Sequence, residues 1–226
     1  MIHNDLHMMP PTTSFALGRD RHQERMDRKY RHARHIFDLS RKFFLFGRER
    51  AIDALRLGGA GAVLEIGCGT GRNLRVMAGR HPALRLSGLD ISAEMLKTAR
   101  AEIARARLDH RVTLLQGDAV ALPASLKAPR ILMSYSLSMV PDWQCALAAA
   151  IDALEPGGVL AIVDFGNFEK LPDWLSAFCI DMLSSHDAPP CLDLPHALRR
   201  HASPALSVRH EYALAGFYQM GIIERL

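Results

Sequence analysis

Three glycines within five residues constrain this chain more than any other feature. Gly67, Gly69 and Gly71 stand in VLEIGCGTGRNL (63–74), directly after a short apolar run and directly before a stretch of helical texture. Glycine at a strand-to-helix junction permits a tight turn and lets backbone N–H groups approach a ligand closely. The spacing then discriminates among ligands. Counting from Gly67 puts Arg72 where a GxGxxG dinucleotide fingerprint needs its last glycine, and no GxxxxGK[ST] phosphate loop occurs. What stands is ExGxGxG, with Glu65 two residues ahead of the first glycine.

The surrounding texture sets the fold class. The runs 62–66, 84–90, 112–116, 130–136 and 159–165 read as strands, and helical patterns lie between them at about 72–80, 93–108 and 142–154. Pro156-Gly157-Gly158 is expected to end the last of these helices. Strands that alternate with helices imply an α/β, Rossmann-like, doubly wound, mostly parallel sheet. A further helical stretch spans 171–185, and a proline-broken region (Pro189, Pro190, Pro195) follows it. Two last runs, separated by Ala215-Gly216, read as an antiparallel hairpin that completes seven strands. Ahead of the core, residues 1–18 read as a flexible leader and 19–57 as a basic helical cap broken near Gly47, leaving 58–226 as the core of a single domain.

Composition narrows the function. At 226 residues with 49% hydrophobic and 23% charged side chains, the chain is globular, not disordered or fibrous. The strongest apolar run is strand-sized and the amino terminus lacks a secretory layout, so a cytoplasmic protein is expected. Its four cysteines form no CxxC or CxxH pair, so neither a metal site nor a disulfide framework is expected. Charge is concentrated: residues 19–50 hold eleven Lys/Arg against five Asp/Glu, a net +6 that exceeds the +4 of the whole chain. These basic residues interleave with Ile36, Phe37, Phe43, Phe44, Leu45 and Phe46. That mixture fits peripheral association with an anionic membrane surface. No nucleic-acid motif is present, and no nucleic-acid partner is expected.

The motif ExGxGxG resembles the first motif of class I S-adenosylmethionine-dependent methyltransferases. Three more features keep the family's order: Asp90 ending LSGLD, QGDA at 116–119, and EPGG at 155–158. The resemblance implies S-adenosylmethionine as cofactor and S-adenosylhomocysteine as product. A strand-end acid such as Asp90 can accept both ribose hydroxyls. The cofactor set implied is Glu65, Gly67, Cys68, Gly69, Gly71, Asp90, Ile91, Asp118 and Ala119, with Asp118 and a neighbouring amide at the adenine and Cys68 packing beneath the cofactor.

The segments YRHARHIFDLSRKFFLFGRERAI (30–52) and SYSLSMVPDW (134–143) resemble bacterial diacylglyceryl-homoserine N-methyltransferases, which finish betaine-lipid synthesis. Phe37, Phe43 and Phe44 stand where that family is expected to have tyrosine. This resemblance implies a diacylglycerol-type lipid substrate, methylated on its amino headgroup, and an upstream betaine-lipid enzyme as a possible partner. Tyr30 and Tyr135 are the catalytic candidates, since aromatic faces stabilise a cationic amine. Arg34 and Arg41 are candidate clamps for a homoserine carboxylate, and Trp143 is a third substrate-side candidate. The alternatives are phosphatidylethanolamine N-methylation, methylation of a small acceptor such as a quinone precursor, and a non-catalytic S-adenosylmethionine-binding membrane module.

Overall fold

A computed structural model of the chain describes residues 45–59 and 61–226. The leader and most of the basic cap lie outside the described residues, and Tyr30, Arg34 and Arg41 lie there with them. The described chain begins with a short helix α1 (Arg48–Ala54), which starts after Gly47. Gly47 has φ +78°, and a Cβ there would lie 2.4 Å from the Tyr218 ring, so glycine at the start of α1 has both a conformational and a steric cause.

Strands and helices then alternate: β1 (Ala62–Ile66), α2 (Arg72–Arg80), β2 (Arg85–Asp90), α3 (Ala93–Arg105), β3 (Val112–Gln116), β4 (Ala128–Ser134), α4 (Trp143–Asp152) and β5 (Leu154–Phe165). After them come α5 (Asp173–Ser185), α6 (Leu194–His201), β6 (Leu206–Ala213) and β7 (Tyr218–Arg225). The sheet order is β3-β2-β1-β4-β5-β7-β6. Strands β1 to β5 pair in parallel, while β7 runs antiparallel between β5 and β6. This is the seven-stranded Rossmann-like sheet with a carboxyl-terminal hairpin that the sequence pattern implies.

Each element follows from its residues. In α3 the Ser92 hydroxyl caps the first turn by accepting from the Met95 N–H, and Met95, Leu96, Ala99 and Ile103 form one buried face. Strand β5 is buried continuously from Gly158 to Asp164, as expected for a strand covered on both faces. Two apolar layers sandwich the sheet, one under α1, α2 and α3 and the other under α4 and α6.

The differences from the sequence expectations have local causes. Helix α4 ends at Asp152, and Pro156-Gly157-Gly158 forms an irregularity inside β5 instead of a separate turn: Ala128 pairs with Leu154, and Arg130 next pairs with Val159. Gly157, at φ +71°, makes that detour possible. Strand β4 ends at Ser134, two residues early, because Tyr135 turns out of the strand with φ +53°. Helix α6 arises within the proline-broken region, where Pro195 sits in the first helical turn, a position that tolerates proline. Among the described residues no helix is long and apolar enough to cross a membrane.

The strand order reverses between β1 and β4, and the carboxyl ends of these two strands part there. Ligands of open α/β sheets bind at such a point.

Candidate active site

A cleft that opens to solvent occupies this point. Its walls come from the ends of β1, β2, β3 and β4, and include Gly67, Gly69, Asp90, Asp118 and Tyr135.

The glycine loop is held by hydrogen bonds that use most of its own amides. The Gly67 and Cys68 N–H groups both donate to the Leu89 carbonyl, at 2.7 and 3.0 Å. The Gly69 N–H donates to Oδ2 of Asp90 at 2.7 Å, and the Gly71 N–H donates back to the Cys68 carbonyl at 3.0 Å. The other Asp90 oxygen accepts from the Ser92 N–H at 2.9 Å. Thus the expectation that these N–H groups face a ligand is corrected. Strand β2 collects those of Gly67, Cys68 and Gly69, and Gly67 and Gly69 line the cleft. A loop that gives its amides away is ill suited to a pyrophosphate, which needs such donors. S-adenosylmethionine carries no phosphate, so this arrangement fits it.

Each glycine has a distinct reason. Gly67 has φ +74°, and a Cβ on it would lie 2.3 Å from Ser136 Cβ, where the loops after β1 and β4 touch. The Ser136 hydroxyl donates to the Ile66 carbonyl at 3.0 Å across that contact. Gly71, with φ +74°, starts α2 and packs towards Ala99 and Ile103, away from the cleft. Gly69 has φ +54°, and a Cβ on it would meet nothing within 4 Å, so the cradle it would fill is open. The floor also needs Gly88 on β2: a Cβ on it would meet Leu74 Cδ1 at 2.6 Å and Cys68 Sγ at 2.8 Å.

Among the residues expected at the cofactor, Gly67, Gly69, Asp90, Ile91, Asp118 and Ala119 line the cleft. The Asp118 carboxylate accepts from the Val120 N–H at 3.1 Å, which fixes the turn after β3. Glu65, Cys68 and Gly71 stand behind the loop. The Cys68 thiol is buried, and burial together with the negative charges of Asp90 and Glu65 raises its pKa well above the ordinary value. Glu65 faces α2, where it accepts from Asn73 Nδ2 at 2.7 Å. Burial is the main cause that pushes its pKa up to about 8, opposed by the Asn73 bond and by the positive charge of Arg48.

On the other side of the cleft, Tyr135 forms a wall. Its ring packs edge-on against Phe165 at 4.8 Å, its hydroxyl donates to the Phe46 carbonyl at 2.6 Å, and Arg48 lies 5.8 Å from the ring centroid. Burial raises the phenol's pKa, with Asp164 adding to the effect and Arg48 opposing it. Met133, Ser136, Met139 and Val140 complete this side. Of these, Ser136, Met139 and Val140 lie inside the stretch 134–143; their position at the end of a switch-point strand was the available signal. Trp143 instead packs against the apolar core at the start of α4 and is not a lining residue. Beneath the wall, buried Asp164 accepts from the Ser138 and Phe165 N–H groups at 3.0 and 2.8 Å, while burial raises its pKa.

The switch-point cleft, the glycine loop and the strand-end acid lie together at the carboxyl edge of the sheet. Residues 63–158 match the family model described as a methyltransferase domain. The chain is 31% identical over 137 residues to a ubiquinone/menaquinone biosynthesis C-methyltransferase of Syntrophotalea carbinolica, covering 58% of this chain and 57% of that protein. It is 38% identical over 136 residues to a 2-phytyl-1,4-naphtoquinone methyltransferase of Thermosynechococcus vestitus, covering 56% of this chain and 58% of that one. The chain therefore spans little more than half the length of these curated relatives. In fold it is similar to the plantazolicin methyltransferase BamL, solved in complex with a triazolic desmethylPZN analog and SAH (TM-score 0.66, 12% identity, 94% of this chain and 98% of that one).

The glycines of the loop should separate on substitution. Gly67→Ala should destabilise the fold by about 2–4 kcal/mol, from strain plus a clash with Ser136. Gly69→Ala should lose only about 1 kcal/mol, since nothing stands in the way of its methyl group. Yet Gly69→Ala, not Gly67→Ala, should be the folded variant that loses S-adenosylmethionine affinity, read by calorimetric titration beside thermal melts. Glu65 should report on pH. Its pKa rises from 4.5 to about 8 on folding, so the folded state binds more protons between those values and stability falls as pH rises across that window. Glu65→Gln keeps the Asn73 partner and should flatten the slope measured by melts from pH 5 to 9. Asp164, shifted in the same direction, leaves part of it.

Proposed function

We propose that this chain transfers a methyl group from S-adenosylmethionine to a hydrophobic aromatic acceptor of the quinone-precursor class. One observation carries the reading: the far side of the cleft is walled by Met133, Tyr135, Met139 and Val140, and no lysine or arginine lines it among the described residues. A flat apolar ring needs only such surfaces, whereas a carboxylate headgroup calls for a cationic partner. The names of the Syntrophotalea and Thermosynechococcus relatives support the same acceptor class.

Bound in the cleft, S-adenosylmethionine supplies an electrophilic methyl group on a sulfonium. The chain's own residues position and enclose. Asp90, already oriented by the Gly69 and Ser92 amides, would present its carboxylate to ribose hydroxyls. Asp118 and Ala119, which line the cleft, would hold the adenine end. Tyr135 contributes its ring as a wall; its hydroxyl is committed to Phe46, and its raised pKa makes it a poor base. Alignment of acceptor and methyl group is the main source of rate in such a transfer.

The betaine-lipid reading rests on the basic, aromatic-rich stretch 19–50, which would supply the cations the cleft lacks. Both readings are separated by one assay. The protein and S-adenosylmethionine are incubated with a demethylated prenyl-naphthoquinol in detergent, and separately with vesicles containing diacylglyceryl-homoserine or phosphatidylethanolamine, and products are weighed by mass spectrometry. A gain of one methyl on the quinol ring is expected. Methylation of a lipid amine alone would overturn the quinone reading in favour of the lipid one. Asp90→Ala should weaken cofactor binding by roughly ten- to a hundred-fold, the effect of losing a charged hydrogen-bond acceptor.

A further inference from the structure

Helix α5 carries an apolar stripe with nothing over it among the described residues. Trp174, Phe178 and Met182 recur at four-residue spacing and are 73%, 62% and 40% exposed, while Leu183 is the helix's one buried side chain. Surface helices normally turn such a stripe inward, and an exposed aromatic face marks a surface that is covered by something else.

Place and charge both bear on what covers it. The described chain begins at the same rim of the sheet. Phe46 packs edge-on against Phe217 at 5.4 Å, and Phe217 packs edge-on against Phe168 at 5.3 Å. Phe168 lies four residues before Pro172, the N-cap of α5. An aromatic rail therefore runs from the end of the preceding segment to the foot of the striped helix. That preceding segment is apolar and basic: residues 30–44 hold Tyr30, Ile36, Phe37, Leu39, Phe43 and Phe44 among Arg31, Arg34, Arg41 and Lys42, with Asp38 as the one acid. Around α5 the balance is opposite. Residues 169–187 hold Glu169, Asp173, Asp181 and Asp187 against Lys170, a net −3 with His186 neutral. Acids beside the stripe repel an anionic lipid surface and attract a basic strand of protein.

We propose that residues 30–44 of this chain dock on the Trp174–Phe178–Met182 face of α5, apolar side chains against the stripe and basic side chains against Asp173 and Asp181. The lengths match, since fifteen residues in helical form would span about 22 Å and the thirteen of α5 about 20 Å. The proposal is independent of the identity of the methyl acceptor. It gives the basic arm an internal partner, where its composition alone points to a membrane.

The chain has two tryptophans, so Trp143→Phe leaves Trp174 as the sole tryptophan, excited selectively at the red edge of the absorption band. Acrylamide quenching of the full chain at submicromolar concentration tests the proposal. Trp174 should be protected several-fold relative to a free tryptophan, with blue-shifted emission. Phe37→Ser with Phe44→Ser should abolish the protection while far-ultraviolet dichroism stays unchanged. Asp173→Lys with Asp181→Lys should weaken it without removing any apolar contact. Free quenching in the starting chain, or protection indifferent to the Phe37/Phe44 changes, would overturn the proposal. So would protection that grows with protein concentration, which assigns the face to a second copy, or that appears only with anionic vesicles, which assigns it to lipid.

Discussion

The bond from the Gly69 amide to the Asp90 carboxylate organises the site. With the Gly67 and Cys68 amides on the Leu89 carbonyl, it joins the end of β2 to the loop after β1 through three consecutive N–H groups. Buried backbone donors must be satisfied, and here β2 satisfies them in place of a ligand. Several details become necessary once the loop lies down in this way. Gly88 must lack a Cβ so that Cys68 and Leu74 can pack over β2, and Gly67 must lack one so that Ser136 can close from the other side. The result is a rigid platform whose open face is Gly69, next to a carboxylate that the same bonds orient.

Two buried carboxylates fasten the walls to that platform. Glu65 on β1 ties the strand to α2 through Asn73, and Asp164 on β5 ties its strand to the turn after β4 through the Ser138 amide. Burying such groups is costly unless they are hydrogen-bonded, and burial raises the pKa of both. Neither faces the cleft. Their task is to hold the loop from behind and the Tyr135 wall from below, while the cleft itself stays apolar on the acceptor side.

Much of this was legible in the sequence, and the reasons are local. Glycine spacing and a strand-end acid are short-range signals, so the placement of Gly67, Gly69, Asp90 and Asp118 along one cleft follows from order alone. The direction of the loop amides was not legible, because it depends on which neighbouring strand accepts them. Glu65 was visible as part of the motif, but a strand's two faces look alike in sequence, and its face turns out to meet α2. Pro195 and Pro156-Gly157-Gly158 look like breaks in sequence, yet a proline in a first helical turn and a glycine-led irregularity in a strand carry the same residues. Trp143 lay in a suggestive stretch, yet its place at the start of α4 turns it to the core. Tyr135 was placed correctly at a strand end, but the partner of its hydroxyl, Phe46, is far away in the chain.

The most direct test of the account is amide hydrogen exchange at Gly67, Cys68 and Gly69, with and without S-adenosylhomocysteine. If β2 holds these amides, they exchange slowly in the protein alone and change little when ligand is added. Fast exchange in the free protein, with protection appearing only on binding, would mean that the amides reach for the ligand, and would contradict the account.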